Sequence, residues 1–272
     1  MWPVAQMLLA QMTKDFTKPV LLIRADGNQD DAVALAELGL ESVIDPYIRI
    51  DKTTDDSDAQ LMLEELAKPG PKWLIATSVN AIRCFAELVG AEKLTAAVTS
   101  ATDLKFAAVG NRTADVLRTL GVTEVLTPEL SDSAALANLL AEQDLDSPAA
   151  SEPISAIIPS GLLAMKTLPN KLASAGWRLI QGVVYTTVTV EQVPTSAAKA
   201  NAGEYSAVIF RSPSAVRAFL SFVPRPTMPL IAAGFTTAKV IEDAGLVVAS
   251  IPSNPTPTAV ALAAKTAIES AA

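Results

Sequence analysis

Apolar positions along the chain follow two alternating patterns. Short runs of aliphatic and β-branched residues are typical of buried strands, whereas apolar residues that recur every three or four positions predict amphipathic helices. Because the two patterns alternate, the sequence predicts α/β units built around parallel sheets. The predicted strands are 20–23, 73–76, 106–109, 154–158, 207–210 and 230–232. The predicted helices are 28–38, 79–89, 112–120, 162–175, 214–222, 236–244 and 258–270.

Parts of the sequence repeat one another, which predicts two similar α/β domains. In the longest repeat, Ile, Ser, Ala, Arg and Phe recur in register over a strand and the helix that follows it. The matched segments are 75–85 with 209–219, 109–114 with 233–238, and the strand and helix that end at Gly39 with those that end at Gly176.

The domain boundaries are less evident than the repeat itself. Two polar stretches, 46–56 and 186–202, are expected to be linkers, and from the residues alone a tandem division near residue 150 is the simplest arrangement. Residues 1–18 begin with a mildly apolar segment that has neither a basic start nor a clear cleavage site. We expect them to form a flexible tail rather than a signal peptide.

Composition excludes several classes of site. The chain has no histidine, which removes the commonest general base and metal ligand and makes a Ser-His-Asp triad impossible. Its single cysteine, Cys84, lies in a helical pattern that would bury it, so no metal site is expected. The formal net charge of −8 argues against nucleic acid as a partner. No apolar run reaches the ~20 residues that span a bilayer, so we expect a cytoplasmic protein that does not enter membranes.

Each strand of the longest repeat ends at a serine, Ser78 or Ser212. A serine in this position can cap the following helix, and the same geometry can present a hydroxyl and free backbone N–H groups to a carboxylate. Capping is the simpler interpretation for either serine alone. Occurrence at the same place in both repeats favours binding, because open α/β sheets bind ligands at the carboxyl ends of their strands.

A glycine follows each strand of the second repeat, at Gly110 and Gly234. Glycine allows a sharp turn and a close approach of the backbone to a ligand, with Thr113 and Thr236 as hydroxyls near helix N-termini. A glycine turn with a helix cap is an equally good interpretation. Neither the dinucleotide-binding nor the P-loop glycine pattern occurs in the chain.

Further candidates also lie where predicted strands end. The sequence Pro-Ser-Gly at 159–161 is expected to form a ligand-facing turn between a strand and a helix. Tyr185, at a strand end, could donate a proton, although packing is the commoner role of such a residue. Thr256 or Thr258 is expected to cap the last helix. The charged candidates are Arg24, Arg112 and Arg211 for an anion, and Asp30 and Asp31 for the positive end of the first helix.

In their order along the chain, these motifs resemble those of the uroporphyrinogen-III synthases. No single motif is specific, but the ordered set, the doubled domain and the length together are. The resemblance runs from about residue 19 to the C-terminus. The segments that carry it are 77–81 (Thr-Ser-Val-Asn-Ala), 109–114 (Val-Gly-Asn-Arg-Thr-Ala), 158–161 (Ile-Pro-Ser-Gly), 184–187 (Val-Tyr-Thr-Thr), 212–214 (Ser-Pro-Ser) and 255–258 (Pro-Thr-Pro-Thr).

The resemblance implies two flavodoxin-like α/β domains with parallel sheets, joined by a two-stranded linker and binding the substrate in the cleft between them. It places residues 19–46 and 190–272 in one discontinuous domain and residues 47–189 in an inserted domain. This division differs from the tandem one that the residues alone suggest.

The resemblance also implies a reaction in the synthesis of heme, siroheme and cobalamin. Hydroxymethylbilane loses its terminal hydroxyl as water, and the last pyrrole bonds through its substituted carbon to give a spiro intermediate. This intermediate reopens and recloses with that ring inverted, giving uroporphyrinogen III. Such a carbon–oxygen lyase mainly has to hold one folded geometry, exclude water and assist the departing hydroxide.

In the family, the tyrosine that matches Tyr185 is the favoured proton donor to the leaving hydroxyl, and the position of Thr113 is also assigned to the reaction. A tyrosine's usual pKa of about 10 keeps such a donor protonated at neutral pH. The substrate-binding residues expected from the motifs are Arg24, Ser78, Asn80, Gly110, Ser160, Gly161, Ser212, Ser214, Gly234, Thr236 and Thr237.

No cofactor is expected, because the substrate supplies its own reactive electrons. The expected partners are hydroxymethylbilane and, transiently, hydroxymethylbilane synthase, and the expected oligomeric state is a monomer. A non-catalytic two-domain protein that binds small anions is the alternative from a different functional class. A regulatory module built from flavodoxin-like halves is a third, but no acidic pocket of the kind that accepts phosphorylation is evident at the strand ends.

Overall fold

The computed structural model describes residues 18–129, 132–143 and 153–271, so the predicted tail lies outside the described residues except for its last position. These residues form nine strands and eleven helices. The strands are β1 (Val20–Leu22), β2 (Ser42–Ile44), β3 (Ile48–Lys52), β4 (Lys72–Ala76), β5 (Leu104–Ala108), β6 (Ser155–Gly161), β7 (Arg178–Thr189), β8 (Ala207–Phe210) and β9 (Leu230–Ala232). The helices are α1 (Gln29–Glu37), α2 (Ser57–Ala67), α3 (Val79–Val89), α4 (Ala91–Ser100), α5 (Asn111–Arg118), α6 (Ser133–Gln143), α7 (Thr167–Ser174), α8 (Ala197–Asn201), α9 (Pro213–Phe222), α10 (Phe235–Asp243) and α11 (Pro257–Ala271).

The contacts divide the chain into two compact units. The first unit consists of the described parts of Met1–Arg49 and Val188–Ala272, and the second consists of the described parts of Ile50–Thr187. The chain passes from one unit to the other within β3 and again within β7. The stretches expected to be linkers therefore contain regular structure, and no division falls near residue 150.

The first unit contains a parallel sheet in the order β2-β1-β8-β9. A bridge between Ile231 and Ser250 adds a fifth position beside β9. The side chains of β1 alternate between the two faces, because successive residues of a strand point in opposite directions. Leu22 packs with α1 and α11 on one face, while Leu21 packs with α9 and α10 on the other. Burial on both faces explains why the strands of this sheet are short continuous apolar runs.

The second unit contains a sheet in the order β3-β7-β6-β4-β5. The last four strands are parallel. Hydrogen bonds from Val190 N to Tyr47 O and from Thr53 N to Val184 O show that β3 runs antiparallel to β7. The helices α2 to α5 cover one face, and α6 and α7 cover the other.

The two sheets correspond strand by strand, which confirms the predicted pair of similar α/β folds. The order β2-β1-β8-β9 matches β7-β6-β4-β5, so β1 corresponds to β6 and β8 to β4. The helices that follow β1 and β6 each end before a glycine with positive φ, Gly39 at 75° and Gly176 at 86°. Only glycine adopts this conformation at little cost. The folds differ in where the chain enters: the first unit begins at the strand equivalent to β6.

Most predicted elements are observed, but the region after β6 differs from prediction. The helix expected over 162–175 begins only at Thr167, because the preceding residues form a turn and irregular chain. The expected turn at 159–161 is the last part of β6 instead. The strand expected to end at Tyr185 continues to Thr189.

Candidate functional site

In each unit, two neighbouring strands lead into helices on opposite faces of the sheet. These pairs are β1 and β8 in the first unit and β6 and β4 in the second. The place between two such strands is called the topological switch point. Doubly wound sheets bind ligands there, beyond the carboxyl ends of the strands, because the connections diverge to opposite faces and leave a crevice. Ser78 follows β4 and Gly161 ends β6, while Arg24 lies just beyond β1 and Ser212 follows β8. Residues predicted from the sequence therefore lie at the switch point of both units.

Both serines cap the helices that follow them. Ser78 Oγ accepts a hydrogen bond from Ala81 N at 3.0 Å, and Ser212 Oγ accepts one from Ala215 N at 3.3 Å. The capping interpretation is thus confirmed for both, and it leaves each hydroxyl hydrogen available for another acceptor. Ser212 Oγ lies 3.0 Å from Ser214 Oγ.

The Ser78 hydroxyl also pairs with the predicted proton donor. Tyr185 Oη lies 3.1 Å from Ser78 Oγ, although the two residues are 107 positions apart in the sequence. The tyrosine ring lies directly on the backbone of Gly161. A Cβ atom at Gly161 would be 2.7 Å from Tyr185 Cζ and 3.0 Å from its hydroxyl oxygen. Because those distances are shorter than atoms tolerate, this position of the tyrosine requires glycine at 161.

Ser160 differs from its predicted role. The residue is only 2% exposed. Its hydroxyl donates to Gly182 O at 3.1 Å and accepts a hydrogen bond from Gln181 Nε2 at 3.3 Å. The expected ligand-facing hydroxyl is therefore used inside the sheet. The physical reason is register: because β6 extends to Gly161, Ser160 is a buried strand residue instead of a turn residue.

The strand that carries Tyr185 is irregular immediately before it. Ser160 pairs with Val183, but Gly161 pairs with Tyr185, so Val184 is an additional residue on β7. Val183 N donates to Asp58 Oδ2 at 3.0 Å. Neither Asp58 nor this bulge was predicted from the sequence. Gly182 within an apolar strand was the available signal, since an isolated glycine in a strand often marks a bulge.

The glycine–threonine motifs begin α5 and α10. Gly110 and Gly234 have φ values of −179° and −171°. The chain bends at both positions, but this extended backbone is open to any residue, so the bend does not depend on the conformational freedom of glycine. A Cβ at Gly234 would contact nothing within 4 Å.

The threonines of these motifs differ in exposure. Thr113 and its repeat counterpart Thr237 are buried, with 6% and 3% of their surface exposed, whereas Thr236 is exposed. The hydroxyl equivalent to that of Thr113 therefore belongs to Thr237 and not to Thr236. Asn80 and Ser214, in the first turns of α3 and α9, are both partly buried.

The arginines expected to meet an anion have different surroundings. Arg24 is partly buried, and its backbone N–H and C=O both bond the side chain of Asn28. Arg112 is exposed in the first turn of α5. The guanidinium of Arg211 instead bonds both carboxylate oxygens of Asp31 and the carbonyl of Pro255. Arg211 is therefore a structural residue, and Asp31 does more than complement the positive end of α1.

Of the two threonines expected to cap the last helix, Thr256 and Thr258, the cap is Thr256. Its Oγ1 accepts a hydrogen bond from Ala259 N at 3.4 Å and donates to Asn254 Oδ1 at 2.5 Å. Pro257 then occupies the first position of α11, where a missing N–H has no cost.

Other features of the described residues lie outside this site or are absent. A cavity of about 900 Å³ at the edge of β5 is lined by none of the predicted site residues. No group of three or more cysteine and acidic side chains within the described ranges is arranged to hold a metal ion. None of the helices in that part of the chain combines the length and the hydrophobicity that a membrane span needs.

Two solved structures share the fold. A mutant uroporphyrinogen III synthase from the extremely thermophilic bacterium Thermus thermophilus superimposes with a TM-score of 0.58 at 17% identity, covering 93% of this chain and 99% of that one. The uroporphyrinogen-III synthetase from Helicobacter pylori gives a TM-score of 0.62 at 16% identity, covering 92% and 99%. At these identities the likeness establishes the fold alone.

Sequence similarity to known proteins identifies the family. A porphyrin biosynthesis protein HemD from Ruminiclostridium josui is 26% identical over 209 residues, which are 75% of this chain but only 40% of that longer protein. The family described as uroporphyrinogen-III synthase HemD matches residues 29–261. Since this match covers most of the sequence and includes both units, the chain belongs to the uroporphyrinogen-III synthase HemD family.

Proposed function

We propose that this chain is a uroporphyrinogen-III synthase, which converts hydroxymethylbilane to uroporphyrinogen III with inversion of the last ring. The observation that carries the proposal is the Tyr185–Ser78 hydroxyl pair, 3.1 Å apart at a strand switch point. Family membership supplies the reaction class, and this pair supplies a proton donor of the kind the reaction needs. We further propose that the two units are the two domains of the enzyme.

The hydroxyl pair supports a specific division of roles. Ser78 Oγ already accepts the Ala81 N–H, so its own hydrogen is free to point at the phenol oxygen of Tyr185. In this division of roles the phenol donates its proton to the departing hydroxide of the substrate. As the carbon–oxygen bond breaks, the proton passes to the hydroxyl and water leaves, while the Ser78 hydrogen bond stabilises the negative charge that develops on Tyr185.

The rest of the reaction needs positioning more than acid–base groups. Loss of the hydroxyl leaves an azafulvene, which is attacked by the substituted α-carbon of the last pyrrole. The spiro intermediate then breaks the original carbon–carbon bond at that atom and recloses at the other, unsubstituted α-carbon, on the far side of the pyrrole nitrogen. Loss of the proton from that carbon completes the ring and balances the proton given by Tyr185. The protein therefore has to hold one folded conformation of the substrate, because free cyclisation proceeds without inversion.

Helix N-termini are the proposed sites for the eight substrate carboxylates. The helices α3, α5, α9 and α10 all begin at strand carboxyl ends, where free N–H groups and the positive end of the helix attract anions. Arg24 adds a cation in the first unit, and Ser160 is omitted because its hydroxyl is bonded to Gly182 O and Gln181 Nε2 within the sheet. The proposed contacts are Arg24, Ser78, Asn80, Gly110, Thr113, Gly161, Ser212, Ser214, Gly234, Thr236 and Thr237.

To test the proposal, the purified chain is incubated with hydroxymethylbilane, the products are oxidised, and the isomers are separated by chromatography. We expect the type III isomer, and formation of the type I isomer alone would reject the proposal. Binding of hydroxymethylbilane without turnover would support the alternative of an anion-binding protein. Two further predictions are a monomeric state and contact with hydroxymethylbilane synthase. Sedimentation of the chain alone would check the first, and sedimentation together with that enzyme would check the second.

The role of Tyr185 is tested by Tyr185→Phe, which removes the phenol and keeps the ring on Gly161. We expect the rate of type III formation to fall by roughly 10-fold to 1,000-fold, which is less than the ~100-fold to 10,000-fold that a positioned general acid contributes, because neighbouring hydroxyls can take over part of its role. Tyr205→Phe is the matched control, because it removes a phenol from the core of the first unit. Equal rates for the two variants would show that the Tyr185 phenol is not the donor.

A further inference from the structure

One peptide unit of β7 is held on both sides by side chains. The carbonyl of Gly182 accepts the Ser160 hydroxyl at 3.1 Å, and the N–H of the same peptide, from Val183, donates to Asp58 Oδ2 at 3.0 Å. In a regular strand these groups bond the neighbouring strands instead. Pro159, which pairs with Gly182, has no N–H to contribute to such a ladder. Side chains therefore fix the backbone here, two residues before Tyr185.

The fixed peptide begins the bulge that reorients the rest of the strand. Adjacent residues of a regular strand point to opposite faces. Here Val184 is buried in the cluster formed with α2 to α5, and Tyr185 packs against the same cluster. The additional residue on β7 accounts for this, because a bulge re-aims the side chains that follow it. Without the bulge, Tyr185 would point to the face of the sheet away from Ser78.

Close packing brings Asp58 to this peptide. A Cβ at Gly182 would lie 2.8 Å from Asp58 Cβ and 2.7 Å from Met62 Cε. The first turn of α2 thus lies directly on the backbone of β7. Asp58 is partly buried, and its carboxylate bonds a backbone N–H that lies 125 positions away in the sequence.

We propose that Asp58 is a positioning residue for the reaction: its hydrogen bond to Val183 N–H sets the β7 bulge, which aims the Tyr185 hydroxyl at Ser78 and the leaving group. This inference rests on the proposed function. In this role Asp58 acts through Tyr185 and not through contact with the reacting atoms. The geometry that it sets is shared with Gly161, on which the tyrosine ring lies.

The experiment compares Asp58→Ala with Asp58→Asn and with Asp55→Ala. Asp55 accepts the Ser57 N–H at 2.9 Å, so its loss weakens the start of the same helix without touching β7. We expect Asp58→Ala to lower kcat roughly 10-fold to 100-fold, the scale of an ångström-sized misplacement of a reacting group, with a smaller change in KM. Asp58→Asn keeps an oxygen acceptor and should stay within about 3-fold of the parent enzyme.

A double-substitution cycle separates positioning from general weakening. If Asp58 acts through Tyr185, adding Asp58→Ala to Tyr185→Phe should lower kcat no further, because the group being positioned is already gone. An equal loss in both backgrounds would overturn the inference, as would full activity of Asp58→Ala. If Asp58→Ala does not fold, Asp58→Glu, which displaces the acceptor by one methylene, takes its place in the cycle.

Failure of the proposed function is distinguishable from failure of this inference. An unsubstituted chain that makes no type III isomer rejects the function. An active unsubstituted chain whose Asp58 variants behave like Asp55→Ala rejects only the positioning role. Exchange of the Val183 amide hydrogen, measured without substrate, gives an independent readout: it should accelerate in Asp58→Ala and stay slow in Asp55→Ala.

Discussion

Tyr47 carries its phenol in the core of the first unit, with none of its surface exposed. Its ring packs against Phe219 at a centroid distance of 5.3 Å, and its hydroxyl lies 3.0 Å from Ser196 Oγ. The pKa of Tyr47 is raised to about 12, mainly by burial; the Ser196 hydrogen bond opposes this rise and the nearby Asp45 carboxylate adds to it. The folded state therefore holds this proton more tightly than the unfolded state, in which the pKa is about 10.

This difference predicts a loss of stability at high pH. The contribution of the neutral phenol is complete below pH ~10 and is lost as the pH rises toward 12, because the unfolded chain ionises first. A pKa rise from about 10 to about 12 corresponds to about 3 kcal/mol when fully expressed. Urea unfolding between pH 9 and 12 should show a steeper decline for the unsubstituted chain than for Tyr47→Phe. Parallel declines in the two proteins would contradict the prediction.

Some site residues could be predicted individually because their roles depend on local sequence. Ser78 and Ser212 follow apolar runs and precede helical patterns, and both cap as expected. Arg211 has the same local context, but its guanidinium is taken by Asp31, which is 180 positions away. Whether the Ser160 hydroxyl faces a ligand or the sheet depended on the residue at which β6 ends. Local sequence patterns therefore do not determine which distant residue a side chain contacts, or at which residue a strand ends.

At the scale of elements, the cap of α3 should have a measurable effect on stability. Ser78→Ala removes the acceptor for Ala81 N–H, and loss of such a cap typically costs about 1 kcal/mol, whereas Ser78→Gly should cost only a few tenths. Ser100→Ala is the matched control, since that serine is exposed and donates to a carbonyl near the C-terminal end of α4. Chemical denaturation measures all three variants. A cost for Ser78→Ala no greater than for Ser100→Ala would contradict the capping role.

Strands and helices were predictable where the pattern of apolar residues is regular. Strands β8 and β9 and helix α3 have their predicted bounds, because each is a continuous apolar run or a regular amphipathic pattern. The predicted strands did not include β3, whose sequence Ile-Arg-Ile-Asp-Lys reads as part of a polar linker. The end of β7 was also placed too early, because residues 186–189 lie in a stretch that was interpreted as a polar linker, and the bulge at Val184 breaks the alternation of the strand before them. Irregular strands lose the period on which such predictions depend.

At the scale of the whole chain, the two units are the same fold entered at different points. The second unit is continuous in sequence, but the first is assembled from segments near both ends of the chain. Its integrity therefore depends on contacts between distant segments. The bidentate pair of Arg211 with Asp31 is one such contact, and the further bond from Arg211 to Pro255 joins β8, α1 and the turn before α11.

Removing one partner of this pair should destabilise the first unit selectively. The side chains of Arg211 and Asp31 are only 11% and 3% exposed, so Asp31→Ala leaves a buried guanidinium without its counter-ion, a change that typically costs about 3–5 kcal/mol. Asp30→Ala, in the same helical turn but exposed, should cost less than about 1 kcal/mol.

Native-state hydrogen exchange locates the loss, because the core clusters of the two units share no residue. In Asp31→Ala, amides of β1 and β8 should exchange faster while those of β4 and β6 keep their protection. Equal acceleration in both units would show that they unfold together, and similar costs for Asp31→Ala and Asp30→Ala would show that the pair does not join the segments. Arg211→Met combined with Asp31→Leu should recover part of the lost stability, because an apolar pair leaves no buried charge without a partner.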